Sequence, residues 1–250
     1  MRQFPGSPLH DQMRRNPSRK GWYSTQDMKL YQLAYACRLY QGDFDDAYRQ
    51  MRNNLRENPD LASVEQQDHL MHFLNKWGCR IPKTQFDNLK NHLKEWAEKW
   101  VCKLPDVGST ILDLKDDVQR DNIANSFNAL LTSHFQETSV AKTLHALRHR
   151  TLPPWDAYIK KKCCSPERTP GQAYFAFIQH VLAEIRDLER DVKRLGYSLN
   201  DVPRLVKRVE PYGVSLVKLV DEYHWMTITS GHTVPDQAEI EAWLCWTPPS

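Results

Sequence analysis

Apolar residues recur every three or four positions along most of this chain, the spacing that places them on one face of an α-helix. The first such run holds Leu30, Leu33, Ala34 and Cys37, and it follows the polar residues 24–27, Ser-Thr-Gln-Asp, a typical helix start. The same pattern predicts further helices over about 44–57, 60–77, 83–103, 116–134, 139–149, 173–195, 200–209, 214–223 and 235–243. The chain is therefore predicted to be all-α.

Turn residues separate these predicted helices. Gly78 is typical of a helix C-terminus, and Leu-Pro-Pro at 152–154 ends one helix before another restarts at Trp155. A short break is predicted at 134–138. The segment Trp225–Thr229 has the composition of a strand, so helix and strand both stay open there. Without a repeat period or a long linker, the pattern favours two interleaved helical lobes.

Composition narrows the possible function classes. The chain has 250 residues, of which 40% are hydrophobic, so it is long and apolar enough to bury a core. Nine residues are glycine, and neither G-x-G-x-x-G nor G-x-x-x-x-G-K-[ST] occurs, which argues against Rossmann dehydrogenases and P-loop NTPases. The six cysteines are scattered, and neither a signal-like start nor a membrane-length apolar run occurs. We therefore expect reduced thiols and a cytoplasmic location.

Charge is distributed unevenly along the chain. The net charge is only +3, but the stretch from 142 to 168 alone has a charge of +5. Its cations are Lys142, Arg148, Arg150, Lys160, Lys161, Lys162 and Arg168, and its acidic residues are Asp156 and Glu167. A second basic stretch, residues 1–22, contains three prolines and predicts an N-terminal arm. Cations around one carboxylate suit a polyanionic substrate such as nucleic acid.

The residues around this carboxylate resemble the catalytic segment of the helix-hairpin-helix DNA glycosylases. Residues 139–143, Ser-Val-Ala-Lys-Thr, correspond to the family's helix after the hairpin, and 155–159, Trp-Asp-Ala-Tyr-Ile, correspond to its Val-Asp-Thr-His-Val turn. The match covers about 25 residues of the chain. The family hairpin reads Leu-Pro-Gly-x-Gly, whereas residues 135–139 read Phe-Gln-Glu-Thr-Ser, without glycine.

The resemblance implies roles for individual residues. Asp156 would be the catalytic carboxylate, and Lys142 the amine that forms a Schiff base in bifunctional members. A carboxylate can stabilise an oxocarbenium-like transition state and orient the attacking water. DNA contacts are expected from Ser139, Arg148, Arg150, Lys160, Lys161 and Lys162. The flipped base needs aromatic neighbours, expected from Trp22, Tyr35, Trp155 and Tyr158, with Tyr31 and Trp225 as further candidates.

Each role has a simpler alternative. Asp156 could act only as a helix cap, and Lys142 could contact a phosphate or face solvent. His145 and His149, four residues apart and not far from Cys163 and Cys164, could suggest zinc, but the cysteine spacing is poor for it, and we expect neither metal nor cofactor.

The sequence thus predicts a two-lobed, all-α glycosylase fold. One lobe would comprise 23–59 and 159–250, and the other 60–158. The expected function is the excision of a damaged base from double-stranded DNA by a monomer that has no membrane partner, with modified bases of phage DNA as an alternative substrate. The competing hypotheses are a non-catalytic nucleic-acid-binding protein and a helical protein–protein adaptor.

Overall fold

A computed structural model of the protein describes residues 28–40, 43–55, 59–114, 117–164, 168–207, 214–236 and 238–239. The predicted basic arm at 1–22, including Trp22, lies outside these residues. The predicted cap at 24–27 and most of the predicted last helix lie outside them as well.

Within the described residues, the protein is helical and contains no β-strand. The α-helices are α1 (Leu30–Leu39), α2 (Asp43–Asn54), α3 (Val64–Lys76), α4 (Phe86–Trp100), α5 (Asp117–Leu130), α6 (Glu137–Leu147), α7 (Ala157–Cys163), α8 (Pro170–Arg194), α9 (Val202–Lys207) and α10 (Leu216–His224). Short 3₁₀ turns cover Lys83–Gln85, Val101–Lys103, Ile111–Asp113 and Leu199–Asp201. The prediction of an all-α protein is confirmed.

The segment that the sequence left open is a π-helix. Residues Trp225–Thr229 continue α10 without a break, because His224 and Ser230 at its two ends both have right-handed helical backbone angles. The amide of Ser230 donates to the carbonyl of Trp225, five residues earlier. Tertiary packing of Met226, which is 3% exposed, outweighs the strand preference of the β-branched residues here.

Side-chain caps fix where several helices begin. Thr169 caps α8 by accepting from the amide of Gln172, whose side chain accepts in turn from the Thr169 amide, and Pro170 occupies the first helical position. Ser215 caps α10 by accepting from the Lys218 amide. These local signals explain why the predicted helices are found close to their expected positions.

The core is built around the long helix α8. Its Gly171 lies so close to α5 that a Cβ atom there would overlap the carbonyl oxygen of Ala124. An aromatic cluster fills the space beside this contact, with ring centroids between 4.6 and 5.8 Å apart. Its members are Phe127, Trp155, Tyr174 and Phe177. This cluster anchors the loop between α6 and α7 against α5 and α8.

The first described helix packs against the C-terminal helices. The Leu30 amide donates to Asp191 Oδ2 on α8 (2.8 Å), and Cys37 Sγ contacts the Leu219 carbonyl on α10 (3.3 Å). Arg38 donates to the carbonyls of Leu205 and Val206 on α9. These contacts join α1 to α8, α9 and α10. The lobe boundaries at 59 and 158 stay a prediction.

None of the described helices combines the length and the apolarity that crossing a lipid bilayer would need.

Candidate active site

A cleft of about 730 Å³ lies where five parts of the chain meet. They are the end of α1, the loop after α3, the turn between α5 and α6 with the start of α6, the loop leading into α7 with the start of α7, and the end of α10 with its π-helix. The lining residues are Tyr40, Trp77, Gly78, Cys79, Arg80, Pro82, Ser133, His134, Gln136, Thr138, Ser139, Lys142, Trp155, Asp156, Ala157, Tyr158, Ile159, Asp221, Trp225 and Thr229. The cleft therefore contains both candidate catalytic residues, Asp156 and Lys142.

Asp156 is held by three hydrogen bonds. It is the N-cap of α7, and its Oδ1 accepts from the amides of Tyr158 and Ile159, both at 2.8 Å. Its Oδ2 accepts from the hydroxyl of Thr229 on the π-helix, at 2.6 Å. The carboxylate is half-buried and lines the cleft. The capping role is thus real, and it fixes the orientation of the carboxylate at the cleft wall.

Lys142 lies in the second turn of α6. The predicted helix over 139–149 would place Lys142 in the first turn, but α6 begins at Glu137, two residues earlier than expected. The Lys142 ammonium donates to the carbonyl of Trp77 and lies 5.7 Å from the centroid of the Trp77 ring. Its side chain is half-buried in the cleft wall.

The loop after α3 brings a cation that the sequence did not single out. Gly78 and Arg80 both have left-handed backbone angles, with φ of 81° and 52°. The side chain of Asn75 clamps the loop by accepting from the Ile81 amide (2.7 Å) and donating to the Ile81 carbonyl (3.1 Å). Arg80 is exposed and lines the cleft. A left-handed arginine costs conformational energy, and such strain often accompanies functional loops.

No family model, curated protein or solved structure matches the chain.

Behind one wall of the cleft lies a fully buried lysine, Lys218. Its Nζ is 3.2 Å from Asp221 Oδ2, which lines the cleft, and 3.3 Å from Glu222 Oε1. Three aromatic rings surround the ammonium, with centroids at 4.4 Å for Tyr40, 5.5 Å for Tyr48 and 5.3 Å for Trp77. Burial raises the pKa of Asp221, and the neighbouring lysine opposes this rise. The spacing of Lys218, Asp221 and Glu222 on one helix was the only sequence signal for this group.

The aromatic candidates have different positions. Trp155 lines the cleft but is 1% exposed and belongs to the core cluster, where its Nε1 donates to the Glu137 carbonyl. Tyr158 lies at the rim, 65% exposed. Tyr35 and Tyr31 are on α1 and do not line the cleft. Trp77 and Tyr40, which we did not predict, line it together with Trp225.

The residues predicted to contact DNA differ in how exposed they are. Arg150, Lys161 and Lys162 are exposed, and Lys160 is half-buried in an ion pair with Glu137 at 2.5 Å. Ser139 lines the cleft within α6 and is 4% exposed.

The prediction that Arg148 contacts DNA is wrong, because the side chain is buried. It is 6% exposed, and its guanidinium donates to the backbone carbonyls of Pro105, Leu147 and Val101. A side chain that ties α6 to the 101–105 segment in this way does not reach a phosphate outside.

The turn between α5 and α6 is the segment compared above with the glycine hairpin of the glycosylases, and a threonine side chain holds it. The Thr132 hydroxyl accepts from the amides of His134 (3.3 Å) and Phe135 (2.9 Å), and the Phe135 ring is fully buried. Two amides of the turn are therefore already bonded within the protein.

His145 and His149 are interior residues. His145 stacks against Tyr48 and Trp77 at centroid distances of 5.8 and 5.9 Å, and its Nδ1 is 2.8 Å from the Leu152 carbonyl. Burial lowers the pKa of His145 to about 3 and that of His149 to about 2. Among the described residues, this pair forms no ligand cluster with Cys163 and Cys164.

Proposed function

We propose that this protein is a DNA glycosylase that removes a damaged or modified base by hydrolysing its N-glycosidic bond. The observation that carries the proposal is the common position of Asp156 and Lys142 in one concave cleft with aromatic and cationic walls. A cleft of about 730 Å³ is in the size range of small-ligand pockets, ~300–1,000 Å³, so a flipped nucleoside is a reasonable occupant.

Asp156 is suited to the hydrolytic step. Loss of the base develops positive charge on the sugar, and a carboxylate beside it stabilises that charge while orienting a water for attack at C1′. The α7 amides and Thr229 hold the carboxylate in place, so little reorganisation is needed during the reaction. One fixed carboxylate can supply this chemistry.

Aromatic side chains of the cleft are suited to holding the base. Trp77, Tyr40 and Trp225 line the cleft, and Tyr158 stands at its rim. Bases that leave the helix stack are held by stacking and by hydrogen bonds to their edges. We therefore propose that Trp77, Tyr40, Trp225 and Tyr158 form the base pocket. Tyr35, which does not line the cleft, is not part of it.

The test is base excision by Asp156→Asn. Asparagine caps helices as well as aspartate does, so the variant keeps the helix cap and loses the charge. Duplexes would each carry one alkylated, oxidised or deaminated base, or a modified base of the kind found in phage DNA. Alkali then cleaves the strand at any abasic site that forms.

We expect the wild-type protein to cleave at least one of these duplexes and Asp156→Asn to lose the reaction while still binding DNA. Asp60→Asn is the matched control, because Asp60 also accepts from a backbone amide, that of Ala62, but is exposed and outside the cleft. Equal excision by wild type and Asp156→Asn would contradict the proposal.

Base excision and the salt dependence of duplex binding together separate the alternative hypotheses. A non-catalytic DNA-binding protein would bind duplexes with a steep salt dependence and excise nothing, whereas an adaptor would bind weakly with little dependence on salt.

Borohydride trapping on the duplex whose base is excised tests Lys142. A trapped adduct that Lys142→Met abolishes would assign a Schiff base to it, and no adduct would leave water as the nucleophile.

A further inference from the structure

A second cluster of functional side chains lies outside the residues that line the cleft. His180 and Glu184 are one helical turn apart on α8, and His224 is the last residue of α10. One ligand atom from each lies within 4.8 Å of the other two. The two imidazole rings are nearly parallel, with centroids 5.9 Å apart and an interplanar angle of 17°.

Both imidazoles direct a nitrogen toward the same carboxylate. His224 Nε2 is 3.0 Å from Glu184 Oε1 and 2.9 Å from Glu184 Oε2, and His180 Nε2 is 3.5 Å from Glu184 Oε1. One imidazole N–H donates well to only one of two oxygens. In agreement with this, Glu184 Oε2, although 2.9 Å from His224 Nε2, makes no well-directed hydrogen bond among the described residues. A buried carboxylate oxygen that shares its donor with a second oxygen would be stabilised by a further ligand.

We propose that His180, Glu184 and His224 bind one first-row divalent transition metal, Zn²⁺ or Fe²⁺. Two imidazoles and one carboxylate form a donor set that both ions accept in proteins, with positions left for water. The side chain of His180 is 33% exposed, so an ion can reach the cluster from solvent. His224 and Glu184 are more buried, with side-chain exposures of 2% and 17%, so they would hold the ion in a mostly dry site.

This site would connect two helices next to the π-helix that contacts Asp156. The metal would cross-link α8 to α10 at His224, the residue directly before the π-helix. The far end of that π-helix carries Thr229, which bonds Asp156 Oδ2. An ion at the cluster would therefore stabilise the junction that positions Asp156. The metal proposal does not depend on the glycosylase proposal, because its ligands and its readouts are separate.

The first measurement is the metal content of the full chain, purified without a histidine tag. We expect one equivalent of zinc or iron per chain, removable by a chelator and restored by the metal alone. The stripped protein should also take up one equivalent of Co²⁺ with visible absorption bands of a low-coordinate site, and its midpoint of thermal unfolding should rise when metal is added.

Variants assign the ion to these residues. Substituting a residue that only supports a metal ligand lowers metal affinity by ~10–100-fold. His180→Ala and Glu184→Gln each remove a ligand, so each should lower the affinity for Co²⁺ by more than that. His72→Ala is the control, because His72 is exposed on α3. His180 is the least buried ligand, so His180→Ala tests the site even if Glu184→Gln folds poorly, and circular dichroism checks both. A chain that binds no metal, or a Co²⁺ spectrum that is the same in both variants and the wild type, would overturn the proposal.

Discussion

At the scale of single residues, the two carboxylate oxygens of Asp156 have different partners. Oδ1 accepts the two amides that begin α7, and Oδ2 accepts the hydroxyl of Thr229. A cap and a catalytic group are usually considered as alternatives, but here the capping bonds leave the carboxylate at the wall of a cleft. The stability of α7 and the geometry of the site therefore depend on the same side chain.

His145 makes the folded protein sensitive to acid. Burial lowers the pKa of His145 to about 3, whereas the unfolded chain has a value near ~6.5. As the pH falls below ~6.5, only the unfolded chain takes up the proton, so the stability that this residue contributes is lost progressively down to about pH 3. Between pH 7 and pH 5 we expect this residue alone to cost about 2 kcal/mol of unfolding free energy.

Urea unfolding at several pH values measures this loss. In His145→Gln, which stays neutral and can still donate to the Leu152 carbonyl, the loss of unfolding free energy between pH 7 and pH 5 should shrink by about 2 kcal/mol. Leu144→Ala is the control, because it truncates a fully buried side chain that has no titratable group. It should lower the unfolding free energy and leave the pH dependence of that free energy unchanged. The same pH dependence in His145→Gln and wild type would contradict the assignment.

At the scale of helices, the apolar spacing predicted most of the fold. It placed α5, α8 and α10 within a few residues of their observed bounds, because each has an apolar face that packs on the core. It did not show that 83–103 begins and ends with a 3₁₀ turn, and it left Trp225–Thr229, which is a π-helix, open between helix and strand. Those depend on tertiary contacts that periodicity does not record.

The candidate site was predictable only where local sequence defines it. Asp156 and Lys142 stood out because the charge around them is concentrated within a short stretch. Arg80 and Lys218 did not. The position of Arg80 in the cleft depends on how α3 packs on the other helices, and the rings that bury the Lys218 ammonium are far away in the sequence. His180 and His224 are separated by 43 intervening residues and meet only through the packing of α8 on α10.

The contact between α5 and α8 leads to a prediction about Gly171. Alanine normally favours a helix over glycine, but a Cβ here would overlap the Ala124 carbonyl and approach Asn128 Nδ2 to 2.9 Å. The overlap should dominate, so Gly171→Ala should lower the unfolding free energy by ~1–3 kcal/mol. Urea denaturation measures the change.

The matched control for this substitution is Gly108→Ala, whose Cβ would meet nothing within 4 Å. It should leave stability nearly unchanged. If Gly171→Ala is as stable as the control, the two helices can separate at little cost, and the packing argument fails.

At the scale of the whole molecule, the proposed binding of DNA depends on where the few excess charges lie. The net charge is +3, too small to attract DNA by itself. The exposed lysines Lys161 and Lys162 lie on α7, the helix that Asp156 caps, so they place positive charge on a helix whose first three residues line the cleft. Arg148, from the same sequence stretch, is buried and adds nothing to that surface.

Salt dependence of duplex binding tests whether this surface contacts DNA. Each phosphate contact contributes ~0.9 to the slope of log affinity against log salt concentration, so the double variant Lys161→Gln/Lys162→Gln should lower the slope by ~1.8 if both lysines bind phosphates. Lys94→Gln/Lys99→Gln is the control, since these lysines are exposed on α4, away from the cleft lining, and carry the same total charge. Only the α7 pair should change the slope. If both pairs lower it equally, DNA responds to the overall charge of the protein, and the α7 surface has no special part in binding.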